Sequence, residues 1–250
     1  MGTIAILAAR RASVERPAID PEVAKRARMM CTSTLFAGLS QRECEEIAIH
    51  SQARTFRTDE LLYMEGQRAR NLALIFSGSV KLSRLGPNGN EVILWMAKPG
   101  DTIGVLADSL TQSHTCSARA MEPTELLLWD FDRLQRFLEE FPRIRMNIGA
   151  ILTSRLTELE ERFREVATEK VDKRVARALQ RLATQIGKPA HGGIEVPLNR
   201  EELAQMTGTT LFSISRLLSR WGEEGIVLPR REAVVVLDAR RLGLVGGRED

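Results

Sequence analysis

The pattern of apolar and polar positions divides the chain into a strand-rich part and a helical part. Between Arg54 and Asp130, short apolar runs such as LALIF, EVILWMA and ELLLWDF alternate with turn-forming sequences such as SGS, GPNGNE and KPGD. Runs of this length and spacing predict an antiparallel barrel or sandwich, and Asn88-Gly89 predicts a tight hairpin. From Asp132 onward the apolar residues recur at a helical period. The expected fold class is therefore α+β.

A long helix is predicted after the barrel. DRLQRFLEEF ends at Pro142, and the next helical segment runs from there to about residue 167, with Gly149 as its only helix breaker. Apolar residues in it recur at alternating intervals of four and three, the heptad pattern of a helix that pairs with another helix. These residues are Leu152, Leu156, Leu159, Phe163 and Val166. Because the flanking positions are charged, we favour a homodimer seam over a helix packed only along the barrel.

The N-terminal part combines a charged stretch with one short helix. Residues 1–28 hold the basic clusters RR and KRAR and few large apolar residues after the first seven, so we predict a flexible basic arm. LFAGLSQRECEEIAIHS then predicts a helix, because Ser40 and Glu43 have the spacing of a capping box.

Two consecutive helices near the C-terminus fit a helix-turn-helix. After a helix over Val171–Ile186 and a short strand, NREELAQMTG and TTLFSISRLLSRWGEEG predict two short helices, with Asn199 as the N-cap of the first. Gly208 lies in the turn between them, where a positive φ favours glycine. IVLPRREAVVVLD predicts a hairpin with Arg230 and Arg231 at its tip, like the wing of a winged helix.

The second of these helices has the composition of a surface that reads DNA. Its buried side is expected to hold Ile214, Leu217 and Leu218, which leaves short polar side chains and arginines on its outer side. Arginine can make a bidentate contact to guanine, and short hydroxyl side chains can reach phosphates or base edges. With the wing, the predicted DNA-contacting residues are Thr209, Thr210, Phe212, Ser213, Ser215, Arg216, Arg220, Arg230 and Arg231.

Charge and composition fit this division of the chain. Residues 170–250 hold 14 Lys and Arg against 10 Asp and Glu, whereas residues 1–169 hold 22 against 23. A basic C-terminal part fits a polyanion partner. No apolar run is long enough to span a bilayer and no secretory signal is evident, so we expect a cytoplasmic protein without a membrane partner. The three scattered cysteines form no CxxC pair, which favours reduced thiols over a disulfide framework or a zinc site.

The chain resembles the Crp/Fnr family of bacterial transcription regulators over about residues 33–245. The resemblance is carried by EGQRARNLALIFSGSVKLSRLGPNGNEVILWMAKPGDTIG, by the long helix after FPRIR, and by LNREELAQMTGTTLFSISRLLSRWGEEGIV. It implies a cupin-like, cyclic-nucleotide-binding-like antiparallel β-roll at residues 29–141, a long dimerisation helix at 142–168 and a winged helix-turn-helix at 169–250. It also implies palindromic promoter DNA and RNA polymerase as partners.

The region that resembles the family's effector pocket departs from the cyclic-AMP-binding members. Their Arg-Ser pair, which holds the cyclic phosphate, corresponds to His114-Thr115, and their ribose-binding Glu corresponds to Val105. Without the charge-assisted pair from that Arg we expect no tight cyclic nucleotide binding. The pocket that the resemblance implies comprises Val105, His114, Thr115, Cys116, Leu159 and Glu160.

The resemblance also bears on the kind of signal. Oxygen-sensing members hold an iron–sulfur cluster on a cysteine pattern that Cys31, Cys44 and Cys116 do not reproduce, so we expect no such cluster. His114 and Cys116 are candidate haem ligands, with an ordinary hydrogen-bonded histidine and a small core cysteine as the alternatives. Phe212 replaces the Glu found in many recognition helices, and TTLFSISR is similar to the form in members that respond to nitric oxide. A small effector or a redox or nitrogen-oxide signal is therefore the leading hypothesis.

Two other interpretations stay open beside a non-enzymatic, dimeric, sequence-specific DNA-binding regulator. A cupin-like barrel would allow a metalloenzyme, but the chain has only His50, His114 and His191 and no HxH pair. The second alternative is a cyclic-nucleotide-responsive regulator with an altered pocket.

Overall fold

A computed structural model describes residues 20–104 and 113–245 of the chain. The first helices and the strands that follow them are α1 (Pro21–Thr32), α2 (Gln41–Ala48), β1 (Gln52–Phe56), β2 (Leu61–Tyr63), β3 (Asn71–Ser77), β4 (Val80–Leu85), β5 (Glu91–Ala97), β6 (Thr102–Gly104), β7 (Ser117–Ala120) and β8 (Thr124–Asp130). Next come α3 (Phe131–Glu140), α4 (Pro142–Thr168) and α5 (Val171–Gln185). The C-terminal part contains β9 (Lys188–Ala190), β10 (Gly193–Val196), α6 (Arg200–Thr207), α7 (Leu211–Glu223), β11 (Val227–Pro229), β12 (Val234–Val236) and α8 (Ala239–Gly243). The predicted α+β class is confirmed.

Helix α1 corrects the prediction of a flexible arm over residues 1–28. The side chain of Asp20 accepts a hydrogen bond from the backbone N–H of Glu22, and Pro21 occupies the first helical position, so the helix has a defined start. Ala27 and Met30 are fully buried. The many charged residues of this stretch lie on the other side of an amphipathic helix, which the sequence interpretation took for an unpacked tail. The rest of the predicted arm, residues 1–19, lies outside the described residues.

The strands β1 to β8 form a roll of two four-stranded antiparallel sheets. Their strand orders are β1-β8-β3-β6 and β2-β7-β4-β5. The predicted hairpin joins β4 to β5, and Gly89 adopts the positive φ of 78° that favours glycine in this turn. The interior of the roll is apolar and includes Phe56, Ile75, Ile103 and Leu126.

Helices α3 and α4 leave the roll and pack back on its first sheet through Leu134, Phe137, Ile144 and Ile148. The 27 residues of α4 correspond to a length of about 40 Å. Arg155 projects from α4 towards the roll, where its guanidinium donates to the carbonyl of Thr102 and lies 5.7 Å from the Trp95 ring centroid. The predicted seam residues of α4 stay exposed in the single chain: Leu152, Leu156, Leu159, Phe163 and Val166. None of the described helices is long and apolar enough to cross a bilayer.

The C-terminal part is built around one apolar core shared by α5, α6, α7 and a four-stranded sheet of order β11-β12-β10-β9. Leu179, Leu203, Leu218 and Trp221 are almost completely buried in it. The same core includes Ile93 of the roll. The C-terminal part therefore packs directly on the outer face of β5, and the two halves of the chain share a continuous apolar contact.

Candidate DNA interface and effector cavity

Helix α6 has a defined start and a defined end, and its end sets the turn that leads into α7. The Asn199 side chain accepts from the Glu202 backbone N–H at 2.9 Å, and the Glu202 carboxylate accepts from the Asn199 N–H at 3.1 Å, so the predicted N-cap is confirmed as a full capping box. Gly208 ends α6 at φ 61°, in the left-handed region where a side chain is disfavoured. The predicted role of this glycine is confirmed.

Thr210 begins helix α7 as its N-cap. Its hydroxyl oxygen accepts from the Ser213 backbone N–H at 3.2 Å and lies 3.0 Å from the Ser213 hydroxyl. The two hydroxyls predicted to reach DNA are thus already paired with each other. They set the start of the helix, and any contact they make with DNA uses their remaining hydrogen-bonding capacity.

The outer face of α7 is open to solvent. Phe212 is 75% exposed, and Arg216 and Arg220 are also exposed. The inner face holds Ile214 and Leu218, both fully buried, as the helical period predicts. A 75% exposed phenylalanine contributes little to the core, so its side chain is available for contact with another molecule.

The predicted wing is present as the hairpin of β11 and β12. The Arg230 N–H donates to the Ala233 carbonyl at 2.8 Å and closes the turn. Its guanidinium is paired with the Glu195 carboxylate of β10, which neutralises much of its charge. The Arg231 side chain is 95% exposed. Of the two wing arginines, Arg231 therefore projects farther into solvent.

A cavity of about 190 Å³ opens at the mouth of the roll. It is lined by Arg54, Phe56, Leu62, Tyr63, Gln67, Arg68, Arg70, Asn71, Ala73, Gly104, His114, Leu126 and Leu128. Three guanidinium groups lie at its polar side, and among the described residues that line it none is acidic. Because cationic side chains line the cavity and no described lining residue is acidic, the cavity has the electrostatics of an anion site.

His114 is held in this cavity by stacking. Its ring lies 3.6 Å from the Tyr63 ring centroid to centroid, with an interplanar angle of 9°. Burial lowers the pKa of His114 below its ordinary value of 6.5 and raises the pKa of the Tyr63 hydroxyl. Burial also raises the pKa of the neighbouring Cys116 thiol. The site therefore favours a neutral histidine, a neutral phenol and a neutral thiol.

A second cavity, of about 300 Å³, lies between α4, β5 and the end of α6. Leu159, Phe163, Leu94 and Met206 contribute to its apolar lining. Arg162 of α4 crosses this region and donates to the carbonyls of β5 and to the Met206 carbonyl at 3.1 Å. Arg162 thus joins the long helix, the roll and helix α6.

Comparison with known proteins places these features in one family. Residues 53–141 match the family model of the cyclic nucleotide-binding domain, and residues 173–244 match the Crp-like helix-turn-helix domain. A cyclic AMP receptor protein of Thermus thermophilus is 30% identical over 195 residues, which cover 78% of this chain and 88% of that protein. The chain belongs to the Crp/Fnr family of transcription regulators.

Other members of the Crp/Fnr family agree over most of the chain. A CRP-like cAMP-activated global transcriptional regulator of Mycobacterium tuberculosis is 25% identical over 216 residues, covering 86% of this chain and 96% of that protein. The solved structure of FixK2 from Bradyrhizobium japonicum superposes with a TM-score of 0.69 over 80% of this chain and 99% of the other, at 22% identity. The predicted family and its β-roll, long helix and C-terminal helix-turn-helix are confirmed.

The residues of the effector pocket that the Crp/Fnr resemblance implied lie in different parts of the structure. His114 lines the cavity of the roll, whereas Leu159 lines the second cavity beside the helix-turn-helix. Thr115 and Glu160 are exposed, and Val105 lies outside the described residues. Among the described residues of the predicted set, His114 and Leu159 therefore line different cavities.

Sequence reasoning missed several groups that the fold brings to these sites. Arg54 and Arg70 reach the roll cavity from β1 and from the loop before β3, so they are far apart in sequence and share no motif. Arg155 lies among the charged positions that flank the seam of α4, and it packs against the roll. A helical-wheel argument could have flagged Arg155 and Arg162, since both lie seven residues apart on one side of the apolar seam.

Proposed function

We propose that this Crp/Fnr regulator is a homodimer that binds palindromic promoter DNA through helix α7. The observation that carries the proposal is the open outer face of α7, with Phe212, Arg216 and Arg220 exposed on a helix whose inner face is locked in the core. A helix presented in this way fits the major groove. Arg216 supplies a bidentate donor for guanine, and Arg231 at the wing supplies charge for the phosphate backbone.

The unpaired apolar seam of α4 supports the dimer. Phe163 is 76% exposed, Leu156 is 57% exposed and Val166 is 53% exposed. A row of large apolar side chains at heptad spacing is unfavourable in water and becomes favourable when a second copy of the helix covers it. A two-fold dimer presents two copies of α7, which matches an inverted repeat in DNA.

Substitution of Arg216 by alanine tests the proposal, with Arg136→Ala as the matched control. Both arginines are exposed, but Arg136 lies on α3, away from the helix-turn-helix. We expect Arg216→Ala to weaken binding to a preferred DNA site by about 1–3 kcal/mol and to relax base preference at one position of each half-site. Arg136→Ala should leave both unchanged. Equal losses in the two variants would assign the effect to overall charge and contradict base reading by Arg216.

We further propose that a small anion, and not cyclic AMP, occupies the roll cavity. The cations Arg54 and Arg70 on its polar side and the absence of acidic groups among its described lining residues support an anionic ligand. The His114-Thr115 sequence stands where cyclic-AMP-binding relatives hold their Arg-Ser pair, which argues against recognition of the cyclic phosphate. Oxyanions of nitrogen fit this charge and match the hypothesis of a nitrogen-oxide signal.

Titration calorimetry tests the choice of ligand. Cyclic AMP and cyclic GMP should give no micromolar isotherm with the full-length protein, whereas nitrate or nitrite should bind, and binding should weaken at least about tenfold in Arg70→Ala. Arg57→Ala is the control, because Arg57 is exposed next to the end of β1 and does not line the cavity. A micromolar isotherm with either cyclic nucleotide would overturn the proposal and favour a cyclic-nucleotide-responsive regulator with an altered pocket.

A further inference from the structure

Two cysteines meet between the first two helices. Cys31 lies in the last turn of α1 and Cys44 in α2, and their Sγ atoms are 2.8 Å apart. A disulfide bond is ~2.05 Å long, so the two sulfur atoms need to approach by less than about 1 Å to be joined. The sequence did not indicate this pair, because the two residues are 13 positions apart and come together only when α1 packs on α2.

The two thiols differ in their access to solvent. Cys44 is fully buried, and burial, the hydrogen bond from Cys31 and the charges of Glu43 and Glu45 all raise its pKa. Cys31 is only half-buried, and its Sγ also lies 3.7 Å from the amide oxygen of Gln41. An oxidant that arrives from solvent therefore reacts with Cys31 first. Cys44 stays a thiol and lies next to the oxidised Cys31 sulfur.

We propose that Cys31 and Cys44 form a reversible intramolecular disulfide when hydrogen peroxide reacts with the protein. The Cys31 sulfur attacks one peroxide oxygen, the O–O bond breaks, and Cys31 becomes a sulfenic acid while hydroxide leaves and takes up the thiol proton as water. The Cys44 sulfur then attacks the Cys31 sulfur, and the hydroxyl group leaves with the Cys44 proton as a second water. Both thiols are oxidised and one hydrogen peroxide is reduced to two waters.

The disulfide closes a ring that is tied to the long helix. The side-chain amide of Asn147 in α4 donates to the carbonyls of Leu35 and Ala37 at 2.8 and 3.0 Å, and both carbonyls lie between the two cysteines. Closing the ring restricts the loop that holds these carbonyls. Oxidation of the two thiols therefore restrains the N-terminal half of α4 through the hydrogen bonds of Asn147. The chemistry goes beyond DNA recognition and does not depend on it.

Peptide mapping of the full-length protein tests the bond. The chain is reduced, freed of reductant, treated with hydrogen peroxide and cleaved with trypsin. Cleavage after Arg28, Arg42 and Arg54 places the two cysteines on separate peptides, 29–42 and 43–54. We expect these peptides to be recovered as one cross-linked species that dithiothreitol separates. Recovery of Cys31 only as an over-oxidised acid, or of either cysteine bonded to a second chain, would overturn the proposal.

Two variants test whether the third cysteine, Cys116, takes part in the oxidation. Cys116→Ser should form the cross-linked peptide as the wild-type protein does. Cys31→Ser changes only the half-buried partner and should give no cross-link at all. A cross-link between residues 43–54 and the peptide that carries Cys116, or loss of the 29–54 cross-link in Cys116→Ser, would assign the oxidation to Cys116 and contradict the pairing.

Hydrogen exchange tests the link to α4. Oxidation should slow amide exchange over residues 33–40 and over the first turns of α4 in the wild-type protein. In Asn147→Ala the disulfide should still form, and the slowing should be confined to residues 21–48. The same protection of α4 in both proteins would show that Asn147 does not carry the coupling.

Discussion

Lys81 of the roll and Glu202 of the helix-turn-helix form an ion pair across the contact between the two halves of the chain. The Lys81 Nζ lies 3.3 Å from the Glu202 carboxylate and 3.6 Å from the Glu91 carboxylate, and Lys81 is only 8% exposed. Glu202 is also the capping-box residue of α6. The group that fixes the start of the helix-turn-helix is therefore the group that holds it against the roll.

We expect Lys81→Met to destabilise the chain by about 2–4 kcal/mol in urea unfolding at neutral pH, because it leaves the largely enclosed Glu202 carboxylate without its cation. Lys188→Met is the control, since the Lys188 pair with Glu122 also joins the two halves but is largely exposed. Its cost should be about 0–1 kcal/mol. The double variant Lys81→Met/Glu202→Gln should recover part of the loss. Similar costs for Lys81→Met and Lys188→Met would contradict a special role for the buried pair.

The Lys81→Met defect should also depend on pH. Burial is the main cause that raises the pKa of Glu202, while Lys81 lowers it, so removal of Lys81 raises that pKa further. A group whose folded pKa lies above its unfolded value costs stability at high pH, and the cost disappears as pH falls through the folded pKa. The difference between the wild-type protein and Lys81→Met should therefore shrink as pH falls through the raised folded pKa of Glu202 and should be lost at the ordinary Glu pKa of 4.5. A difference that stays constant with pH would show that packing, and not charge, causes the defect.

His114 should make the protein less stable in mild acid. Its folded pKa lies below the ordinary 6.5 because of burial, so the stability it contributes is full above 6.5 and is lost as pH falls through the folded pKa. We expect the free energy of unfolding to fall less between about pH 7.5 and about pH 5.5 in His114→Gln than in the wild-type protein. His191→Gln is the control, since His191 is exposed in the C-terminal part. Identical pH profiles for wild-type protein and His114→Gln would refute this account.

Phe163→Asp should convert the proposed dimer to a monomer. Burial of a large apolar side chain contributes about 1.5–3 kcal/mol, and the two-fold arrangement uses two copies of Phe163. We expect the dimer dissociation constant from sedimentation to rise by at least about 100-fold. Thr157→Asp places the same charge on an exposed position on the opposite side of α4 and should leave the dimer intact. A dimer that survives Phe163→Asp would remove α4 as the interface.

Phe212→Glu should change which base is preferred at one position of each half-site. Phenylalanine can contact only apolar groups such as the thymine methyl, whereas glutamate accepts a hydrogen bond from cytosine N4. Selection of preferred sequences by the wild-type protein and by Phe212→Glu measures the shift. Phe212→Leu keeps the apolar contact and should keep the wild-type preference. An unchanged preference in Phe212→Glu would mean that Phe212 does not read a base.

The parts of the fold that depend on local rules could be predicted from the sequence. The capping boxes of Ser40 with Glu43 and of Asn199 with Glu202 are three-residue patterns, and Gly208 marks a turn that favours glycine whatever surrounds it. The exposed apolar row of α4 could be predicted from a period of seven, and its role as a dimer seam stays a prediction. In each case the physical cause lies within one helix or one turn, so residues that are close in sequence were sufficient for the prediction.

The contacts that join distant segments could not be predicted in this way. The Cys31–Cys44 pair and the bond from Lys81 to Glu202 depend on how α1, α2 and the two halves of the chain pack. Helix α1 was taken for an arm because its buried face is narrow and its other residues are charged. The effector pocket was predicted as one set because the resemblance aligns positions along the chain, whereas the direction of each side chain depends on tertiary packing.

Selection of bound sequences from a pool of random duplex DNA tests the central claim most directly. A dimer that presents α7 twice should enrich an inverted repeat whose half-sites lie about one helical turn apart. Arg216→Ala should lose the preference at one position in both halves, while Arg136→Ala should select the wild-type sequence. Enrichment of no sequence, or of a single half-site without its inverted partner, would contradict a dimeric regulator that reads DNA through α7.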